Sequence, residues 1–281
     1  MSDSPDGRSV PRSSLTMASL VAGVGFCLKS LLVICVPVRA LAMTPWLPDD
    51  AFIYAAIARN LATGGGYSLD GQTPTAGAPL LWTWILAMFH AGLSDDASIK
   101  AALLLGSALS ALSAIIVFSI AWEYSGRITA WISLALSVFM APVFLSAING
   151  METSLFTFLG LVVVWLHVSR WGRGLLRRSS LTRLASGIVQ GLMFLTRADA
   201  MFIVFAVFIT ELRFARVDKF PLGRRALGLI AIGFVICCLP SLAWNYHATG
   251  SVFPSNQVGR RMLAWEGVYG ATGIALGLVR K

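Results

Sequence analysis

The chain has 281 residues, 57% hydrophobic and 12% charged, with a mean hydropathy of +0.76; soluble domains carry about 45–50% apolar and about 25% charged residues, so a water-soluble globule is excluded. Lys and Arg number 22 against 13 Asp and Glu, a net charge of +9. The basic residues fall between apolar runs, so a lipid bilayer accounts for them and no nucleic-acid partner is expected.

Taken in chain order, residues 1–14 are polar and read as a cytoplasmic tail. The apolar run at about 15 to 41 is too long for the core of a cleavable signal and lacks a cleavage site, so it is expected to stay as a first span. Further runs follow at about 97 to 122, 128 to 147, 153 to 169 and 226 to 246, with two shorter ones at 184 to 196 and 200 to 212. They predict an all-α, polytopic transmembrane bundle of about seven spans over 15–246. Pro79 to Leu93, which carries Trp82, Trp84 and His90, is short and aromatic, and is expected to lie in the interface within a first external loop, 42–96. One continuous span from Leu184 to Glu211 would bury Arg197 and Asp199 at its centre, at about 2.5–3.5 kcal/mol per charge. Two short helices meeting at a tight outer turn avoid most of that cost. Gly187-xxx-Gly191 allows close helix packing. Segment 247–281 is expected to be external and to start another apolar helix, where the chain stops as a truncated or minimal form would. The four cysteines all lie in apolar runs, with no disulfide framework or zinc spacing.

Loop charges set the expected orientation. With the N-terminus inside, cytoplasmic segments hold 13 basic residues and external segments 6, and the loop RWGRGLLRRSSLTR alone has five arginines and no acid. Eight of the 13 acids (Asp49, Asp50, Asp70, Asp95, Asp96, Glu152, Asp199 and Glu266) then lie outside, where a water-filled cleft could collect them. The alternative is that acids are simply tolerated there.

Pro45 and Pro48 end the first span, and Asp49-Asp50 stand at the start of an amphipathic helix. One carboxylate at a helix start suffices to cap it; a second, adjacent acid points to a further role. Glu152 follows Asn149 at capping-box spacing, so it is either a cap or a group that positions a substrate or joins a divalent cation. Arg197 is a fork for phosphate oxygens or, with Asp199, a turn cap. His247 is a further site candidate. Gly64-Gly65-Gly66 lacks the Lys-Ser/Thr of a phosphate loop and reads as a flexible turn. Asp95-Asp96 are expected to cap the second span, His90 and His167 to be structural, and Lys29 to snorkel or pack against a polar neighbour.

The order of these elements resembles a family. An acidic pair past the first span, an ARNL element with Arg59, a glycine-rich turn, a Pro-Thr loop and an aromatic helix are similar to the first external loop of GT-C type integral-membrane glycosyltransferases, and nearest to the arabinofuranosyltransferase-like subfamily. NGMETSLF at 149 to 156 resembles a G-[LM]-E-T element and LTRADA at 195 to 200 an L-T-R-x-D element. Trp244-Asn245-Tyr246 with Pro254-Ser255-Asn256 is similar to a W-x-Y…P-N-[ST] stretch, making Asn245 and Asn256 site candidates. The resemblance implies a GT-C-like fold in the cytoplasmic membrane, with its active site on the external or periplasmic side. It implies transfer of a sugar from a polyprenyl-phosphate-linked donor to a glycan, lipid or protein acceptor. In that chemistry Asp49 or Asp50 would be the base, Arg197 would stabilise the leaving phosphate, and Glu152 would position the acceptor or bind Mg²⁺ or Mn²⁺. A lipid or solute transporter or flippase is the first rival; a non-catalytic scaffold, in which Asp49, Asp50 and Glu152 lie far apart, is the second.

Overall fold

A computed structural model describes residues 9–44, 46–75, 78–217, 224–250 and 252, and these are helical, with a single isolated bridge between Ser68 and Pro74. In order the helices are α1 (Arg12–Cys35), α2 (Val38–Ala42), α3 (Asp49–Ala62), α4 (Leu80–Gly92), α5 (Asp95–Ser125) and α6 (Arg127–Phe139). Then follow α7 (Ala141–Ala147), α8 (Thr153–Val168), α9 (Arg170–Arg178), α10 (Ser180–Thr196), α11 (Ala200–Val217) and α12 (Arg224–Thr249). Pro11, Pro37, Pro48 and Pro79 stand just before α1 to α4, where a fixed φ and a missing N–H cost nothing. Gly126, at φ +85°, turns the chain from α5 into α6, a backbone state side chains disfavour.

Among the described residues three helices, α1, α5 and α12, are long and apolar enough to cross a membrane, or up to five spans if the bent pairs α6–α7 (54°) and α8–α9 (77°) each count as one. The Thr196–Asp199 interruption breaks the chain into α10 and α11 as the sequence predicts, but α10 has 17 residues and the apolar part of α11 is Ala200–Leu212, both short of the ~20 residues of a full span.

Small side chains let these helices approach. The buried side of α5 is rich in Ser, Ala and Gly, including Ser98, Ala102, Gly106, Ser107 and Ser110, and α1, α6 and α8 pack on it. The tightest pairing joins α10 to α12: a methyl group at Gly187 would strike the Ile230 carbonyl, and one at Gly191 the Cys237 side chain. Gly187-xxx-Gly191 is thus a helix-packing face. Lys29, buried in α1, donates to Ser110 Oγ at 2.9 Å and lies 5.4 Å from the Phe144 ring centroid.

One expectation about α4 is corrected. The helix is too short to span, but its aromatic residues do not form an interface belt: Trp82 is wholly buried, and only Trp84 faces outward, 54% exposed. Trp82 sits in a core shared by α3, α4, α5, α8, α10 and α11, with Leu86, Leu109, Leu155 and Met193. Burial of this large ring required a partner for its N–H, and Nε1 donates to the Gly150 carbonyl at 3.0 Å. This bond fixes the loop that carries Glu152.

Candidate functional site

A cavity of about 410 Å³ opens where the first turns of α3, the α7–α8 loop, the α10–α11 turn and the C-terminal part of α12 meet. Asp50 and Tyr54 reach it from one face of α3, four residues apart. Met151 and Glu152 come from the loop, Thr196 to Asp199 from the turn, and Ser241, Trp244 and Asn245 from α12. Tyr67, Ala78 and Pro79 from the segment between α3 and α4, and Leu80 at the start of α4, close it.

The loop preceding α8 is shaped by Asn149 and Gly150. Asn149 Oδ1 accepts from the Met151 N–H at 2.9 Å, and Gly150 takes φ +72° with Ala51 packed against it. The capping box suggested by the spacing is not formed: the residue before α8 is Glu152 itself, and its side chain makes no capping bond. The Glu152 side chain is only 4% exposed. Its Oε1 accepts from Arg197 Nη1 at 3.3 Å, while Oε2 is buried with no partner among the described residues. A native protein seldom leaves a buried carboxylate oxygen unpaired, and Glu152 is among the residues that line the cavity. Burial pushes the Glu152 carboxyl above its ordinary range, Asp50 and Asp199 push the same way, and Arg197 opposes them.

Arg197 stands at the end of α10, 43% exposed, with its backbone N–H on the Met193 carbonyl at 3.1 Å. Nε and Nη2 donate to Asp199 at 3.1 and 3.0 Å, and the guanidinium lies 5.7 Å from the Phe156 ring centroid. Asp199 above all, with Glu152 and Tyr54, raises the Arg197 pKa against the opposing effect of burial. Of the five guanidinium donors, three are engaged, leaving two for a further oxygen atom. The phenol of Tyr54 is raised by burial and then by Glu152 and Asp50, and burial pushes Tyr67 up to about 12. Both remain neutral hydroxyl donors near pH 7.

The aromatic wall is held by bonds distant in sequence. Trp244 Nε1 donates to the Thr75 carbonyl at 3.2 Å and its ring meets Tyr67 edge-on, 5.5 Å between centroids. The Tyr67 hydroxyl donates to the Ala78 carbonyl at 3.0 Å.

Of the residues singled out from sequence, Asp50, Glu152, Arg197, Asp199 and Asn245 line this cavity. Asp49 is exposed at the first position of α3 and does not line it. Arg59 is outside it too, on the surface, paired with Asp95 at 3.2 Å. His247 is exposed and stacked on Trp244, ring centroids 6.0 Å apart, and Asn256 lies outside the described residues. Asp70 binds the Gln72 and Thr73 N–H groups of its own loop, which hold its carboxyl down at about 2. Tyr54 and Tyr67 carry no sequence signal of their own, and Trp244 entered only as part of the Trp244-Asn245-Tyr246 resemblance, with no role given to it. Tyr54 was readable as the residue four beyond Asp50, while the other two depend on tertiary contacts that local sequence does not signal. Among the described residues no three His, Cys, Asp or Glu side chains stand close enough to share a metal ion.

At the opposite end of α8 lies a second polar cluster. His167 Nδ1 meets Glu211 Oε1 at 3.1 Å and Nε2 meets Ser186 Oγ at 3.1 Å, tying α8 to α11 and α10, with Gln190 Nε2 donating to Ser186 Oγ at 3.4 Å. His167 and Glu211 side chains are each 5% exposed. This supports the structural role expected of His167.

No family model, curated protein or solved structure matches the chain.

Proposed function

We propose that the chain is a membrane glycosyltransferase of GT-C type, moving a sugar from a polyprenyl-phosphate donor to a glycan, lipid or protein acceptor. The observation that carries this reading is the gathering of Asp50, Glu152 and Arg197, from three distant segments, around one open cavity with an unpaired carboxylate oxygen. In the proposed step an acceptor hydroxyl attacks the anomeric carbon as Asp50 takes its proton. The bond from that carbon to the phosphate oxygen breaks, and the lipid phosphate leaves with the electron pair. The two remaining Arg197 donors stabilise the charge developing on it. Glu152, favoured in its neutral form by burial, positions the acceptor from the cavity wall. A single displacement of this kind inverts the anomeric configuration. No metal ion is assigned a step.

In this reading α10 and α11 form a fifth and sixth span in a seven-span bundle, and the cavity faces the external side of the cytoplasmic membrane. The loop-charge asymmetry supports that orientation. The closeness of Asp50 to Glu152 counts against a non-catalytic scaffold. Incubating the purified full chain with a radiolabelled polyprenyl-phosphate sugar and an acceptor panel tests the proposal: a new glycoside is expected. Redistribution of the labelled lipid across a vesicle bilayer with no new bond would instead make the chain a transporter.

A further inference from the structure

We infer that α9 is an interfacial helix that binds anionic phospholipid headgroups at the end of the bundle opposite the cavity. The inference rests on the helices' membrane placement, independently of the glycosyl-transfer reading.

The helix RWGRGLLRR turns 77° from α8, so it runs across the axis of the apolar helix it follows. Gly172 permits the bend: a side chain there would collide with the Trp165 carbonyl and Leu166. The helix is held at both ends. Ser169 Oγ accepts from the Gly172 N–H at 2.9 Å, and Arg183 donates to the Leu176 and Arg177 carbonyls at 2.6 and 2.7 Å.

At about 100° per residue, Trp171, Gly172, Leu175 and Leu176 share one side of α9 and Arg170, Arg173 and Arg177 the other. Gly172 and Leu176 are buried against the bundle, whereas Trp171 and Leu175 are 72% and 42% exposed. Arg177 and Arg178 are exposed beside them. A rigid, short helix that shows an indole and a leucine next to guanidinium groups matches the boundary where acyl chains meet phosphates. The level of α9 agrees: the Tyr124 hydroxyl donates to the Val168 carbonyl at 2.6 Å, so the apolar helices α5 and α8 both end there. Segment 170–183 carries five arginines and no acid; Arg170 pairs with Glu123 at 3.6 Å and Arg183 is bound to carbonyls, and the excess positive charge carried by exposed Arg177 and Arg178 selects anionic over zwitterionic lipid. An acidic polypeptide would use the arginines but not the neighbouring exposed indole and leucine.

The test is native mass spectrometry of the detergent-solubilised full chain, offered equal amounts of phosphatidylglycerol and phosphatidylcholine. Phosphatidylglycerol is expected to be retained preferentially. The preference should fall about fivefold for each of Arg177→Gln and Arg178→Gln, and should not change in Arg39→Gln, an exposed arginine on α2 at the cavity end. Salt should weaken the wild-type preference, a reading that stands even where the variants fail to fold. Equal retention of the two lipids, a preference unaffected by salt, or an unchanged ratio in a folded Arg177→Gln/Arg178→Gln variant overturns the inference. Displacement of the lipid by polyglutamate at equal charge also overturns it, and would assign the face to an acidic polypeptide.

Discussion

The two ends of α8 carry polar clusters of similar chemistry and opposite character. At its start, Glu152 pairs with Arg197 on the wall of an open cavity, one carboxylate oxygen unpaired and the guanidinium 43% exposed. At its far end, Glu211 pairs with His167 in a closed setting, and the second imidazole nitrogen is taken up by Ser186. Both pairs place ionisable groups among apolar helices at a desolvation cost. The far cluster recovers that cost within the protein by holding α8, α10 and α11 together. The near cluster leaves part of it unrecovered among the described residues. Ionisable residues in a membrane bundle therefore divide by the completeness of their bonding, a distinction residue type alone does not make.

Five substitutions break or sharpen this contrast. Asp50→Asn is expected to lower glycosyl transfer by about 10²–10⁴-fold with the melting temperature unchanged, whereas Asp49→Asn, outside the cavity, stays within about twofold of wild type; steady-state rates on matched protein amounts decide. Equal losses in the two variants would remove Asp50 as the base. Arg197→Gln should cost about 10²–10³-fold in turnover. It should also lose about 1–3 kcal/mol of stability by leaving Glu152 unpaired, read by thermal unfolding in detergent.

Glu211→Ala inverts that pattern. It should destabilise the fold by about 3 kcal/mol, the scale for breaking a buried pair, while the folded fraction keeps its kcat and KM. A change in KM at normal stability would give the far cluster a share in the site. The smallest effect is expected from Glu152→Gln. Burial raises the Glu152 pKa, so its contribution to wild-type stability is fully present below the ordinary carboxyl range and declines as pH rises through the folded value. Melting temperatures followed from about pH 4 to about pH 8 should show that decline in wild type and a flatter curve in the variant; parallel curves would contradict it.

Much of the fold was legible because apolar runs and prolines act locally. The break between α10 and α11 followed from the cost of burying Arg197 and Asp199, and the short helix after Pro79 from its length. The set Asp50, Glu152, Arg197 and Asp199 was legible through sidedness, since loop charges put all four on one face before any contact was known. What stayed hidden depends on packing. Trp82 looked like an interface residue because nothing nearby in sequence announces the Gly150 carbonyl that satisfies its indole. The capping spacing of Asn149 and Glu152 was misleading because Gly150 turns the loop and Arg197 draws the carboxylate away. Which carboxylate of the Asp49-Asp50 pair faces the cavity depends on helix phase relative to neighbours, and no pattern within α3 reveals that.

The bond from Trp244 to the Thr75 carbonyl has a consequence for biogenesis. A chain made from its N-terminus has the segment between α3 and α4 synthesised well before α12 leaves the ribosome, yet the wall of the pocket needs both. Nascent chains stalled before α12 would carry the acidic and basic groups without the enclosure around them. The chamber thus closes only once α12 has docked.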